Sequence, residues 1–243
     1  MSYLVPWSIQ THKSLNSTQD TLKELIAVGD AVEGTLIRAL KQTGGYGRHG
    51  RKWEEAPGNL SFSFLLQPKT SLAQSTTLSL ITGIALTRTI QGLLEVTDNE
   101  EVILKWPNDV MLKGHKCAGI LLENIEQNIV IGIGINISSA PIEGSVCLSD
   151  YKENVTITPE KLLKRFLEVF KDIYGLWLEQ GFTAFRSDFI KLSYKIDTPV
   201  CVKLPRNTIE GLFQGVDKDG SLLILCKDTQ KLQKITTGDV FLV

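Results

Sequence analysis

Two stretches of this chain combine charge with backbone freedom in a way that suits chemistry on anions. The first is residues 42–53, Gln42-Thr43-Gly44-Gly45-Tyr46-Gly47-Arg48-His49-Gly50-Arg51-Lys52-Trp53. Four glycines in seven residues leave a backbone that can take positive φ and approach a ligand with no Cβ in the way. Arg48, Arg51 and Lys52 add cationic donors, and successive exposed N–H groups can form an anion-holding nest. The second is Lys105-Trp106-Pro107-Asn108-Asp109, at the end of a short apolar run. Pro107 disfavours helix and pushes Trp106 extended, which gathers Lys105, Asn108 and Asp109 at a strand-to-turn corner. The first stretch points to a phosphate or carboxylate ligand, and the second, with charged residues clustered at the end of an apolar strand, marks a functional corner. A basic hairpin loop for the first, and an Asn-Asp turn beside an ion-paired lysine for the second, are the purely structural alternatives.

Two familiar phosphate motifs are excluded. Gly45-x-Gly47-x-x-Gly50 has the dinucleotide-binding spacing, which requires a strand before it and a helix after it. Residues 34–40 read as the strand, but Trp53 is followed by a turn at Pro57-Gly58-Asn59 and then by a second, Phe-rich strand over 60–66. No helix N-terminus is available for a pyrophosphate, and no acidic residue follows about 20 positions on for a ribose hydroxyl. A P-loop fails because no Gly-Lys-Ser/Thr closes the run.

These stretches must be positioned by an ordinary globular core. The chain has 243 residues, 42% hydrophobic and 22% charged, enough for one large domain plus a small appendage. A net charge of −1 argues against a general nucleic-acid or membrane-surface binder, so any basic site is local. Cys117, Cys147, Cys201 and Cys226 are far apart, which argues against zinc and fits free thiols in a reducing cytosol. The N-terminal residues show no signal-peptide pattern, and no uninterrupted apolar stretch looks long enough to span a bilayer; the expected location is cytoplasmic.

Along the chain, Ser17-Thr18-Gln19-Asp20 opens a helix with Leu22, Leu25 and Ile26 on one face, Ser17 or Thr18 being its cap. A long helix is expected over residues 72–94, and strands over 102–105, 110–112, 116–123 and 128–137. Gly132 and Gly134 inside the last of these mark places where something approaches the backbone, and Asn136 is polar where a core residue is expected. Residues 141–158 read as an irregular connection. A helix begins at Pro159 and buries Leu163, Phe166, Leu167, Phe170, Ile173 and Tyr174, and a shorter one covers 183–192. From residue 197 the pattern changes to short β runs, expected to form a small antiparallel barrel leaning on the main domain. The expected division is therefore 1–196 and 197–243, in an α+β fold.

Taken together and in order, Ser17-Thr18-Gln19-Asp20, the Gly/Arg loop ending at Trp53, Lys105-Trp-Pro-Asn-Asp109, Lys116-x-Ala-Gly119-Ile-Leu-x-Glu123 and Gly132-x-Gly-Ile-Asn136 resemble the biotin protein ligases over essentially the whole chain. The resemblance implies a synthetase-like catalytic domain with a mixed, mostly antiparallel sheet and an SH3-like C-terminal barrel. It implies a single-function enzyme without an N-terminal DNA-binding domain, since the Ser-Thr motif begins at Ser17. Such an enzyme activates biotin with Mg-ATP to biotinyl-5′-AMP and passes it to a lysine of a biotin carboxyl carrier protein, the acetyl-CoA carboxylase subunit being the usual one.

By the same resemblance, Ser17, Thr18, Gln19 and Gln42 would meet the biotin ureido ring, with Gly45, Tyr46, Gly47 and Gly119 around the ligand. Lys105 would bridge the biotin carboxylate and the α-phosphate, with Arg48 and the loop amides beside it. Arg51, Trp53, Asn108, Lys116 and Asn136 would serve the nucleotide, Trp53 by stacking. Asn108 and Asp109 would suit Mg²⁺, which prefers oxygen ligands. Two departures stand out: the family loop usually reads Gly-Arg-Gly-Arg, whereas Tyr46 here replaces one guanidinium with a phenol, so that either the anhydride is held more loosely or Arg51 or Lys52 compensates; and Gln19 stands where Asn is common. A lipoate–protein ligase and a non-catalytic biotin or nucleotide sensor are the competing readings, and monomer and homodimer both stay open.

Overall fold

The computed structural model describes residues 5–96, 101–151 and 157–243. The N-terminal reading and the connection expected over 141–158 thus fall partly outside the described residues.

Seven strands form the main sheet: β1 (Ser8–His12), β2 (Thr35–Ala39), β3 (Leu60–Leu66), β4 (Val102–Lys105), β5 (Asp109–Leu112), β6 (His115–Ile125) and β7 (Asn128–Ile135). Their spatial order is β1-β2-β3-β7-β6-β5-β4. β1 and β2 run parallel and the remaining neighbours antiparallel. The sheet is mixed and mostly antiparallel, as the resemblance implies.

Alternation along β3 decides what lies on each face. Leu60, Phe62 and Phe64 point to one side and Ser61 and Ser63 to the other, as period-two geometry requires. The aromatic side packs against α4 (Pro159–Gln180), whose Phe166, Phe170, Tyr174 and Trp177 recur at helical spacing and stack in a row. Phe64 meets Phe170 edge-on with ring centroids 5.2 Å apart. α3 (Leu78–Leu94) joins the same core, packing on α4 and on β4, β5 and β6. On the opposite face α1 (Thr18–Ala27) covers one end of the sheet through a small cluster of Leu22, Ile37, Leu65 and Val130. Ser17 caps α1, its hydroxyl accepting from the Asp20 N–H.

Residues 72–94 do not form one helix. α2 (Leu72–Ser75) stops, and α3 restarts at Leu78. The hydroxyls of Thr76 and Thr77 bond back to the carbonyls of Ala73 and Gln74, which competes with the helix ladder at the break. Leu72–Leu94 is long and apolar enough to cross a membrane by length and composition only, but the apolar run is interrupted and most of it is buried inside this fold. The expected helix over 183–192 is a 3₁₀ turn, Phe182–Phe185, followed by α5 (Arg186–Lys191).

The C-terminal sheet has five antiparallel strands, β8 (Pro199–Lys203), β9 (Thr208–Val216), β10 (Leu222–Cys226), β11 (Leu232–Ile235) and β12 (Asp239–Leu242), ordered β11-β10-β9-β8-β12. Its apolar side, including Phe213, Val216, Leu222 and Ile224, is continuous with the main core. Trp106 is the hinge of that contact: buried, it donates its indole N–H to the Gly220 carbonyl at 3.0 Å. Arg186 donates to the Val216 carbonyl at 2.7 Å from α5.

Phe170 is fully buried between β3 and α4. Phe170→Ala should cost about 3–5 kcal/mol, read as a lower urea midpoint at unchanged slope.

Candidate active site

The polar face of the main sheet is the floor of a cavity of about 330 Å³. Strand register draws one row across it: Ser61 pairs with Gly134, Gly134 with Gly119, Gly119 with Asp109, and Asp109 with Lys105. The two central glycines leave the floor low enough for larger groups to lie on it. A Cβ on Gly134 would sit 2.3 Å from Cε2 of Trp53, and one on Gly132 would sit 2.6 Å from Oε1 of Gln19. The close approach expected at these glycines is therefore made by Trp53 and Gln19.

One end of the cavity is neutral and hydrogen-bonding. The Thr18 N–H donates to Gln42 Oε1 at 2.8 Å, the Thr18 hydroxyl lies 2.9 Å from Ser63 Oγ, and Ser63 donates to Gln19 Oε1 at 2.9 Å. Ser63 gives its one proton to Gln19, and the single Thr18 hydroxyl proton is shared between Ser63 Oγ and Gln42 Oε1, the latter at 3.2 Å. Behind them Glu55 accepts from the Ser61 hydroxyl and from Gln42 Nε2. Burial raises the Glu55 carboxyl above its ordinary value against those hydrogen bonds. Gly45 does not line the cavity, contrary to expectation. It is buried under the Gln42 amide, where a Cβ would come within 2.9 Å of Nε2.

The Gly/Arg loop is itself a small hairpin. Trp53 N–H donates to Gly45 O at 2.9 Å and Gly47 N–H to Arg51 O at 2.8 Å, with His49 and Gly50 at positive φ at the tip. Arg48 donates to Asn108 Oδ1 at 3.2 Å and to Asp239 Oδ1 at 3.3 Å, and Arg51 also binds Asp239. Burial works to raise the Asp239 carboxyl, but the hydrogen bond from Arg51 and the charges of Arg51, Arg48 and His49 hold it below the ordinary value. Neither expected substitute for the missing guanidinium stands beside Tyr46 as a free cation, because Arg51 is on Asp239 and Lys52 is paired with Glu54. The cation beside Tyr46 is Lys23, at 2.7 Å. Burial pushes the Tyr46 phenol up; Lys23 opposes, Asp20 and Glu123 add, and the result is about 12.

Lys116 and Lys105 both stand beside Asp109. Lys116 lines the cavity, 2.6 Å from Asp109 and with its amine 6.0 Å from the Trp53 ring centre. Lys105 does not line it. β4 is the edge strand, so Lys105 falls one strand beyond Asp109, and its amine lies over the Phe241 ring at 4.9 Å. Burial pulls the Lys105 amine below the ordinary lysine value, with Asp109 opposing.

Asn108 and Asp109 make no metal cage by themselves and would hold Mg²⁺ only together with the oxygens of a nucleotide. The oxygen of Asn108 faces Arg48 and that of Asp109 faces Lys116, and no group of three acidic, His or Cys ligands exists among the described residues. Asn136 lies at the cavity wall, held by Asn59, whose Oδ1 caps the N–H groups of residues 137–139. Asn59, Ser61, Ser63, Asp239 and the rim at 141–145 carry no motif in the sequence. Ser61 and Ser63 alone were traceable, as the polar phase of β3.

This arrangement was compared with known proteins. The model of the biotin/lipoate A/B protein ligase family matches residues 11–136, more than half of the chain. The chain belongs to this family. The model of the biotin protein ligase C-terminal domain matches residues 195–243. The ligase-family chain is 31% identical to the bifunctional ligase/repressor BirA of Bacillus subtilis, over 94% of this chain and 72% of that protein. It is 27% identical to the biotin–[acetyl-CoA-carboxylase] ligase of Paracoccus denitrificans, over 93% and 98%. Among solved structures, the biotin protein ligase of Aquifex aeolicus in complex with biotin and ATP superposes with a TM-score of 0.83 at 29% identity, covering 97% of this chain and 98% of that one.

Within this ligase-family site, Gly134→Ala places a methyl against three indole atoms and must displace Trp53. The expected outcome is a roughly ten-fold or greater loss of ATP affinity by calorimetry, with a changed tryptophan emission and an unchanged melting temperature.

Proposed function

We infer that this chain is an ATP-dependent biotin protein ligase, activating biotin to biotinyl-5′-AMP and transferring the biotinyl group to a lysine of a biotin carboxyl carrier protein. The observation that carries the reading is a single cavity with a neutral hydrogen-bonding end and a cationic end. The ureido ring of biotin is neutral and has both N–H donors and a carbonyl acceptor, which suits Ser17, Thr18, Gln42 and Ser63. The carboxylate at the far end of biotin's side chain then reaches the end where Arg48, Arg51 and Lys116 stand. Trp53, lying over the glycine floor, offers a flat surface for adenine, and Asn136 offers an amide edge.

In the first step a biotin carboxylate oxygen attacks the α-phosphorus of ATP. The bond to the β-phosphate oxygen breaks, and pyrophosphate leaves with that electron pair. Two anions must meet, and fixed cations lower the repulsion. A charge pair at about 4 Å is worth roughly 1 kcal/mol in water but about 4 at an effective dielectric of 20. Cations inside the cavity therefore act far more strongly than cations on its rim. Lys116 and Arg48 line the cavity and would touch the reacting groups, which places them first, whereas Lys105 acts from the edge strand as a desolvated charge without lining it. In the second step the carrier's lysine amine attacks the anhydride carbonyl, AMP leaves, and the amine loses its proton. No protein nucleophile is required, since positioning supplies much of the rate. We take residues 197–243 as a separate domain closing the cationic end through Asp239, and 1–196 as the catalytic domain.

Biotin-dependent release of pyrophosphate from ATP tests the reading. Release with lipoate in place of biotin, or binding without release, would overturn it. Lys116→Ala should lower the rate of pyrophosphate release by about 10²-fold or more, and Lys105→Ala by less. The reverse order would return the leading role to Lys105.

A further inference from the structure

Helix α1 sends a cation toward the loop that no motif announces. Lys23 Nζ donates to Tyr46 Oη at 2.7 Å and lies 5.3 Å from the ring centre. The same amine is 3.0 Å from Asp20 Oδ1 and 3.4 Å from Glu123 Oε2. Tyr46 Oη in turn donates to Asp20 Oδ1 at 2.8 Å, with Glu123 Oε2 at 3.3 Å. A phenol has one proton, so it accepts from the lysine and donates to Asp20. Three elements, α1, the loop and β6, thus converge on one hydroxyl. Tyr46 lines the cavity, whereas Lys23, Asp20 and Glu123 stand behind it.

Groups as exposed as these add little to fold stability. Nor does the loop need them to form, because its own cross-hairpin hydrogen bonds shape it. What the cluster fixes is where the loop's first limb lies against the first turn of α1. That turn carries Thr18 and Gln19 with Ser17 as its cap, all three at the neutral end of the cavity. The second limb is held elsewhere, through Arg48 and Arg51 to Asp239. Remove the amine and the phenol faces two carboxylates with no cation between them, and the limb keeps its ties at residues 42 and 44, to Thr18 and to the Asn16 carbonyl.

We propose that Lys23 is a positioning residue that, through Tyr46, holds the loop's first limb against α1 and so sets the width of the cavity's neutral end. This rests on the reading that the biotin ring system occupies that end. Lys23 thereby supplies from a helix the cation that the loop lacks at position 46.

The test uses the full chain with Lys23→Met, Lys23→Arg and Tyr46→Phe. Biotin affinity is measured by calorimetry, KM for biotin and for ATP by pyrophosphate release, and stability by thermal melting. Lys23→Met and Tyr46→Phe should each weaken biotin binding roughly five-fold, the size of one hydrogen-bonded tether. For Lys23→Met the KM for ATP and the melting temperature should stay put, and Lys23→Arg should remain within about two-fold of the parent. If the parent chain does not bind biotin, the functional reading falls and takes the proposal with it. If the parent binds and Lys23→Met binds equally well, or Lys23→Arg weakens as much as Lys23→Met, or ATP affinity falls in step, the proposal alone is overturned.

Discussion

Strict alternation along β3 and β7, matched by β6 between β7 and β5, is the constraint on which the rest of the molecule depends. On one side it yields Phe62, Phe64, Ile131, Ile133 and Ile135, which have no stable place except against α3 and α4. On the other it yields Ser61, Ser63, Gly132, Gly134 and Gly119, too small or too polar to form a second core. Core and cavity are therefore one decision made twice per dipeptide. A slip of one residue in β3 would send phenylalanines into the cavity and serines into the core, and one in β7 would put isoleucines where its glycines lie. The small core under α1 seals one end of the polar face, and the rest stays accessible.

Over that floor the protein keeps its cations in company. Arg48 and Arg51 share Asp239, Lys116 has Asp109, and Lys105 rests on an aromatic face. The partners are themselves on rigid strand ends, so each charge has a defined starting position. Desolvation is what makes such charges effective, and it is also what an unpartnered charge resists; pairing reconciles the two. The Lys105 amine, with no carboxylate in salt-bridge contact among the described residues, is the one whose proton affinity drops under burial.

Much of this was legible from the chain. The Phe-rich alternation of β3, the helical spacing of Phe166, Phe170 and Tyr174, and the Ser17 cap are local signals, and the structure keeps each of them. β1 was not legible, because residues 8–11 are exposed at an edge and carry no apolar pattern. β12 is four residues long, with Phe241 and Leu242 exposed. The break at Thr76 and Thr77 depends on two hydroxyls choosing nearby carbonyls, against an apolar pattern that runs straight through. At the site, the residue types were readable and their reach was not. Whether Lys105 or Lys116 enters the cavity depends on strand order, which no spacing encodes. Asp239 meets Arg48 across 191 positions of sequence and Arg51 across 188.

Asp239 has a thermodynamic corollary. Its carboxylate engages two guanidinium groups at once, so any anion that came to them would compete for one pair of donors. Competition of this kind is reciprocal: whatever frees the arginines loosens the grip on β12, and whatever draws β12 away leaves the arginines readier for ligand by the same factor. The last strand of the polypeptide is in this sense a built-in pseudo-ligand. Stray anions must outbid it before they can dwell, and one that did so would loosen the last strand by as much as the strand had opposed it.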